Sequence, residues 1–384
     1  MANVLTNLAA DIYKAADIVG REQVGLVSAV MVNDQNSDAV AYGDVVRSSF
    51  TRPVTASNYS ASMTIPEGTD QTVDNKTLSI SKMRSVQIPY TGEDKRHLGN
   101  GAGFETVYGD QVKQAIRALV NEAEIDLYNE IVANTSRAVG TAGTTPFASN
   151  TDLLADARQI LVENGAPVMD GQCSAVLSLA AGTALRKTSA LQKVSESGTD
   201  TLLRNGILLP LQGFNVKETA AAYSRTKGTG TSYTTTTAGF AVGTTSIPII
   251  TGSGTVLAGD VVTFAGDTNK YVVQTGVTAA GTIVLGGTGL RQAIPASATA
   301  MTIGNNYTGN IILHRNAAEL VMRPVAGVGR GQDAATDAMI VVDPFSGLSF
   351  IVATYLGHGK SMIEVSAAWG VKAWKSDFIV SVLG

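Results

Sequence analysis

From about Glu105 to Ala133 the chain carries apolar residues at Tyr108, Val112, Ala115, Ile116, Leu119, Ala123, Leu127 and Ile131. They step by three and four, while Asp110, Lys113, Arg117, Glu122, Asp126 and Glu130 take the other faces, so the spacing predicts one amphipathic helix. Nearly thirty residues at 1.5 Å each make a rod of about 40 Å. A rod of that length needs a long apolar surface to lie on. The last 45 residues offer one: AMIVVDPFSGLSFIVATYLG and SMIEVSAAWGVKAWKSDFIVSVLG read as strands and hold both tryptophans, Trp369 and Trp374. They are expected to complete a sheet that packs on the long helix.

The flanks of the helix change style. Val4, Leu5, Leu8, Ile12, Ala15, Ala16 and Val19 form a second helical stripe over residues 3–19. An extended segment from Val45 to Tyr90 follows; in TLSISKMRSVQIPY, Leu78, Ile80, Val86, Ile88 and Tyr90 share one face of a period-2 ribbon. Two long strands with a polar tip between them make a hairpin that cannot bury both faces by itself. Beyond the helix, Thr151 to Glu163 reads as a helix stopped by Gly165 and Pro167. CSAVLSL then reads as a strand, AAGTALRKTSALQKV as a helix and GFNVKET as a strand. That alternation is an α/β pattern.

Between Arg225 and Thr308 the composition turns Thr- and Gly-rich, with only Arg225, Lys227, Asp260, Asp267, Lys270 and Arg291 charged. Short strand candidates recur, LAGDVVTFAGDTNKYVV among them as a hairpin around Gly266-Asp267, and predict a small β-barrel or sandwich. At Asn310 the earlier style resumes with NIILHRNAAELVMRP, read as a strand running into a helix. The β-rich stretch is therefore an insertion, whose two ends must lie close together.

Only 16% of the 384 residues are charged, where about 25% is usual for a soluble domain. Two readings stand: a very stable Thr- and Gly-rich protein, or a surface that largely meets other subunits. A net charge of -4 argues against a dedicated nucleic-acid binder. The lone Cys173 forms no internal disulfide, the N-terminus is not a signal peptide, and no uncharged apolar run approaches the ~20 residues of a membrane span. A cytoplasm-like setting is expected.

No motif carries chemistry. Gly357-His358-Gly359-Lys360-Ser361 resembles the tail of a phosphate loop, but Thr354 stands where the leading glycine belongs, and a hairpin turn is the better reading. His97, His314 and His358 lack second ligands at metal spacing and read as surface or capping residues; Cys173 reads as a buried small residue. Asn58 and Asn75 begin glycosylation sequons without a secretory context. An enzyme, a cofactor and a metal are not expected. Arg47, Arg52, Lys82 and Arg84 lie along the long hairpin, either as a solvated strand face or as a row of inter-subunit ion pairs.

The order of parts resembles the major capsid proteins of tailed bacteriophages, the Hong Kong 97-like fold, over essentially the whole chain. LLADARQILVENGAPVMDGQCSAVLSLAAGTALR is similar to the start of that family's A-domain, and HRNAAELVMRPV and DPFSGLSFIVATYLG share its style. The inserted β-module brings it nearest to short-tailed-phage coat proteins with a telokin-like insertion domain. The resemblance implies an α+β capsid fold: an N-terminal arm (1–44), an E-loop (45–95), a P-domain with spine helix (96–150), an A-domain (151–224 and 309–345) around the insertion (225–308), and C-terminal P-domain strands (346–384). It implies self-assembly into pentamers and hexamers around double-stranded DNA, with scaffolding, portal and possible decoration proteins as partners, no membrane, and assembly in the host bacterial cytoplasm. Arg47, Arg52, Lys82 and Arg84 are then candidate interface residues. The insertion departs from better-known members in being shorter and charge-poor, which counts against an inter-capsomer salt bridge from its loops. Some relatives of this fold crosslink an E-loop lysine to a neighbour; Lys76, in a polar segment, is expected not to. The competing reading from a different class is a β-rich binding or adhesion module with a helical stalk.

Overall fold

The structure, a computed structural model, describes residues 19–33, 40–51, 56, 58–65, 73–99, 104–198, 201–325 and 335–384. The helix expected over residues 3–19 lies outside them.

The long helix spans Phe104–Ala133. Its stripe from Ala115 to Val132 is buried, with Ala123, Leu127, Tyr128, Ile131 and Val132 fully enclosed. Two side chains finish it: Asn134 Nδ2 donates to the Glu130 carbonyl (2.8 Å) and Thr135 Oγ1 to that of Ile131 (3.0 Å), satisfying carbonyls that the last turn leaves open.

The helix lies on a sheet whose spine is the 14-residue strand Lys360–Ala373. Lys82–Thr91 pairs with it from residue 360 to 369. Ser349–Leu356 (residues 361–366) and Ala318–Arg323 (368–373) share its other edge end to end. Ala335–Val342 extends the sheet beyond Ser349–Leu356, and Met31–Asn33 joins Ala318–Arg323 in parallel. Leu320, Met322, Phe350, Val365 and Trp369 from this sheet share one core with the helix.

A second, mixed sheet runs Asn215–Thr219, Cys173–Ser178, Tyr307–His314, Ile379–Leu383 and Arg137–Gly140. Its alternation sorts residues to two cores. Val176, Ile311, Leu313 and Ile379 join the long helix's cluster. Ala175, Leu177, Ile312 and Val380 face Leu154, Leu161, Ala181 and Leu185 of the helices Asp152–Glu163 and Leu179–Lys187.

Residues 224–308 form short strands with a core of their own, including Tyr233, Ile247, Phe264, Tyr271, Ile283 and Met301. The hairpin around Gly266 exists, Val261–Phe264 against Lys270–Thr275, with Gly266 at φ 86°. The two ends of this segment meet: Arg225 pairs with Tyr307. The segment is also stitched sideways into the second sheet, since Lys270 and Tyr271 pair with Ala138 and Arg137. Gly286 fits there because a Cβ would stand 2.2 Å from the Thr135 carbonyl oxygen.

Three sequence expectations are corrected. Residues 318–323 are a strand, not a helix, and all six are buried; a strand covered on both faces loses its alternation and reads as a plain apolar run. AAGTALRKTSALQKV is not one helix but Leu179–Lys187, Ser189–Gln192 and Val194–Ser197, broken where Thr188 and Lys193 are extended. TLSISKMRSVQIPY is not one ribbon. Val73–Ser79 pairs with Val45–Thr51 as a two-stranded hairpin, and after Ile80 and Ser81 the chain leaves it for the helix-bearing sheet. Lys76 is mid-strand opposite Ser48, and its Nζ donates to the Trp374 carbonyl at 2.6 Å.

Candidate assembly surface

Of the four basic candidates, Arg47 is on a different strand from Lys82 and Arg84. Arg47 is exposed on the hairpin opposite Thr77, and Arg52 lies outside the described residues. Lys82 and Arg84 sit one strand further on, facing the chain's own long helix. Lys82 Nζ is 3.1 Å from Glu122 Oε1 and 2.8 Å from Asp126 Oδ1; Arg84 Nε is 2.9 Å from Glu122 Oε1. Glu122 and Asp126 are four residues apart on one helix face, where like charges repel; Lys82 sits between them. Burial pushes the Glu122 carboxyl up, but the hydrogen bonds from Lys82 and Arg84 outweigh it and hold it below its ordinary value. Burial likewise pulls Lys82 down, and its two carboxylates more than offset that. Trp369 Nε1 adds a bond to Asp126 Oδ2 at 3.0 Å. This cluster roots the strand on its own helix.

The surface without cover lies elsewhere, in two places that the sequence reading passed over. Tyr59, Met63 and Ile65 are 96%, 106% and 92% exposed. The signal was present: in Tyr59-Ser60-Ala61-Ser62-Met63-Thr64-Ile65 apolar and hydroxyl residues alternate, the mark of a strand with one face to bury. The second place is Ala335–Val342, whose free edge meets no other strand among the described residues. Met339, Ile340 and Val342 are each more than half exposed. A long apolar edge strand is a template for further pairing.

The chemical candidates are occupied by structure. Gly357–Lys360 closes a hairpin, the Gly357 N–H donating to the Lys360 carbonyl at 2.8 Å, with Gly359 at φ 68°. His314 is buried; one ring nitrogen lies 2.8 Å from Asp170 Oδ2 and the other accepts the Asn316 N–H. His97 is exposed. Cys173 is buried, and burial pushes its thiol up to about 11, away from nucleophilic use. Among the described residues no group of His, Cys, Asp or Glu is placed to hold a metal, and no helix is long and apolar enough to cross a membrane.

No family model matches the sequence, and no curated protein matches it. Solved structures do. A chain from Mycobacterium phage Che8 aligns with TM-score 0.53 at 14% identity, covering 98% of this chain and 97% of that one. A chain from the capsid structure of the Cyanophage P-SCSP1u aligns with TM-score 0.53 at 10% identity, covering 97% and 92%. The chain has the fold of a tailed-phage major capsid protein. At these identities the likeness is one of fold, and it spans the capsid fold from end to end.

Proposed function

We propose that the chain is a major capsid protein, whose copies assemble into an icosahedral shell around the double-stranded DNA of a tailed phage. The observation that carries the reading is the pair of apolar surfaces, residues 59–65 and 335–342, that nothing among the described residues covers. Exposed patches of this kind mark contact sites. An exposed irregular segment and a separate open strand edge are different surfaces, so contacts between copies are head-to-tail and close into rings when the rotation allows. In this reading residues 45–95 are an E-loop, Phe104–Ala133 the spine of a P-domain, residues 151–224 and 309–345 an A-domain, and residues 225–308 an inserted small β-barrel of telokin-like kind. Residues 1–44 are the arm and 346–384 return to the P-domain. Arg47, Arg52, Lys82 and Arg84 lie near the contact region, the last two supporting it from within. The mildly acidic chain would touch packaged DNA weakly, consistent with a shell that must fill and empty. Scaffolding and portal proteins, and a possible decoration protein, complete the proposed partners; assembly takes place in the bacterial cytoplasm and the product resides in the virion.

Size-exclusion chromatography and negative-stain micrographs of purified chain test this. Capsomers or shells are the expected result. A monodisperse single copy of 39.7 kDa, with no larger species at any concentration or with scaffold added, overturns it in favour of a binding or adhesion module.

A further inference from the structure

Residues 21–30 run across three elements and are tied to each. Arg21 makes two bonds to Asp343, which is buried in the turn after Ala335–Val342 (3.0 and 3.2 Å). Glu22 is held on the long helix by Arg117 and by Asn121 Nδ2 (2.7 Å). The Gln23 carbonyl accepts the Ala220 N–H (2.9 Å), and Lys217 Nζ donates to the Ser28 carbonyl (2.7 Å). Gly25 is required by proximity, because a Cβ there would lie 2.4 Å from the Glu218 carbonyl oxygen. At the centre stands Glu124, 1% exposed. Its Oε1 accepts the Leu26 N–H (2.9 Å) and the Thr219 hydroxyl (2.7 Å); its Oε2 accepts the Val27 N–H (2.9 Å).

We propose that residues 21–30 are a clamp joining the long helix, the Asn215–Thr219 strand and the Asp343 turn, and that Glu124 makes the clamp's grip respond to protons. The inference does not depend on the capsid reading.

The geometry explains the response. All three partners of Glu124 are neutral donors, and the charges around it are engaged elsewhere: Glu22 with Arg117, Glu218 with Arg186 (2.6 and 2.5 Å), Lys217 with Ser28, and Arg21 with Asp343. A carboxylate taken from water with no cation beside it resists ionisation. Burial therefore holds the Glu124 carboxyl above its ordinary value, against the opposing pull of Thr219, Leu26 and Val27. Protonation keeps the contacts: a proton on Oε1 can bond to Thr219 Oγ1 with the hydroxyl turned to accept, leaving both backbone donors in place. Lifting residues 21–30 would hydrate the group, and a cavity of about 160 Å³ beside Glu22, Asn121, Glu124 and Ile125 already reaches it.

The docked form thus binds a proton more tightly than the open one. By linkage, docking is strongest below the ordinary carboxyl value of 4.5 and weakens as pH rises through the raised one. Glu22, lowered to about 2 by the hydrogen bonds from Arg117 and Asn121, stays ionised throughout that window. Lys217, pulled down by burial and by nearby Arg315, would loosen the same segment on losing its proton. Replacing Glu124 separates the two.

Hydrogen exchange on the full chain from about pH 5 to pH 9, corrected for intrinsic rates, reads the clamp at the Leu26 and Val27 amides. Their protection should fall by about tenfold per pH unit inside the window. The Gly309 amide, bonded to Tyr128 Oη, should hold steady. Glu124→Gln should abolish the carboxylate's slope. Flat wild-type protection, a parallel fall at Gly309, or a Glu124→Gln variant that keeps the slope overturns the proposal. Should that variant fail to fold, Lys217→Arg, which keeps its charge across the range, takes its place: a fall at Leu26 and Val27 but not at Gly309 that persists in it supports the carboxylate, and flat protection overturns it.

Discussion

Two strands of the helix-bearing sheet invert what composition suggests. Ala318–Arg323 carries Glu319 and Arg323 among its six residues, and all six are buried. Ala335–Val342 carries one charge in eight, Asp337, and most of it is exposed. The buried strand can hold its charges because each has partners: Glu319 accepts from Trp374 Nε1 (2.8 Å) and Asn33 Nδ2 (3.0 Å), and Arg323 donates to the Asn33 carbonyl (3.0 Å) and Oδ1 (2.8 Å). Buried charge is tolerable when it is hydrogen-bonded. The exposed strand is left unsatisfied, since its methyls meet water and the N–H and C=O groups of its free edge meet no strand among the described residues. Among the described residues the charged strand is finished and the apolar one is not.

The comparison breaks most visibly through truncation. Leu320, fully buried, should cost about 2–5 kcal/mol on Leu320→Ala, the usual range for a core leucine. Ile340→Ala removes nearly as much side chain but from a site more than half exposed, and should change the lone subunit by about 0.5 kcal/mol or less. Denaturant titration of unassembled protein measures both. Equal costs would mean that Ile340 is covered within the chain. Ile340→Glu sharpens the same point: the subunit should melt as wild type while particle yield collapses, and normal shells would remove Ala335–Val342 from the interface.

A smaller effect is expected at the helix-rooted cluster. Lys82→Glu with Arg84→Glu puts two more carboxylates beside Glu122 and Asp126. The pairs are partly exposed, so screening limits the cost to about 1–2 kcal/mol. Added salt should recover part of it. The loss should appear in the isolated subunit's melt, because these contacts are within the chain. Arg47→Glu, on the exposed hairpin, should leave the melt unchanged. Identical melts for the double variant and Arg47→Glu would refute the rooting role.

What was legible in the sequence follows the same division. The long helix was readable because one face is buried and the other wet, which prints the 3.6 period. The Val261–Thr275 hairpin was readable because Gly266 marks its turn. Ala318–Arg323 was misread because burial on both faces erases alternation. The departure at Ile80 and Ser81 left no trace, since Leu78 and Ile80 share phase with Val86, Ile88 and Tyr90 although the two sets belong to different sheets. Glu122 and Asp126 could not be assigned to Lys82 because they lie 40 and 44 residues away with no local pattern linking them. The alternation in residues 59–65 was there to be read; its meaning needed the knowledge that nothing among the described residues covers it.

The smallest effect concerns covalent bonding, where none is expected. If uncovered apolar strands supply the cohesion between copies, the shell has no need of an isopeptide link. The lysine best placed for one by sequence is otherwise engaged. Lys76 stands mid-strand, and its Nζ donates to the Trp374 carbonyl at 2.6 Å. Attack on a neighbour's asparagine would require that nitrogen to give up this bond, lose a proton to a nearby carboxylate and present its lone pair in a site shielded from water. The residue is exposed rather than enclosed in such a site. Lys76→Arg should therefore leave particle yield and gel pattern unchanged. Denaturing electrophoresis of mature particles should show one band near 39.7 kDa. Ladders of covalent oligomers that vanish in Lys76→Arg would show that burial alone does not hold the copies together.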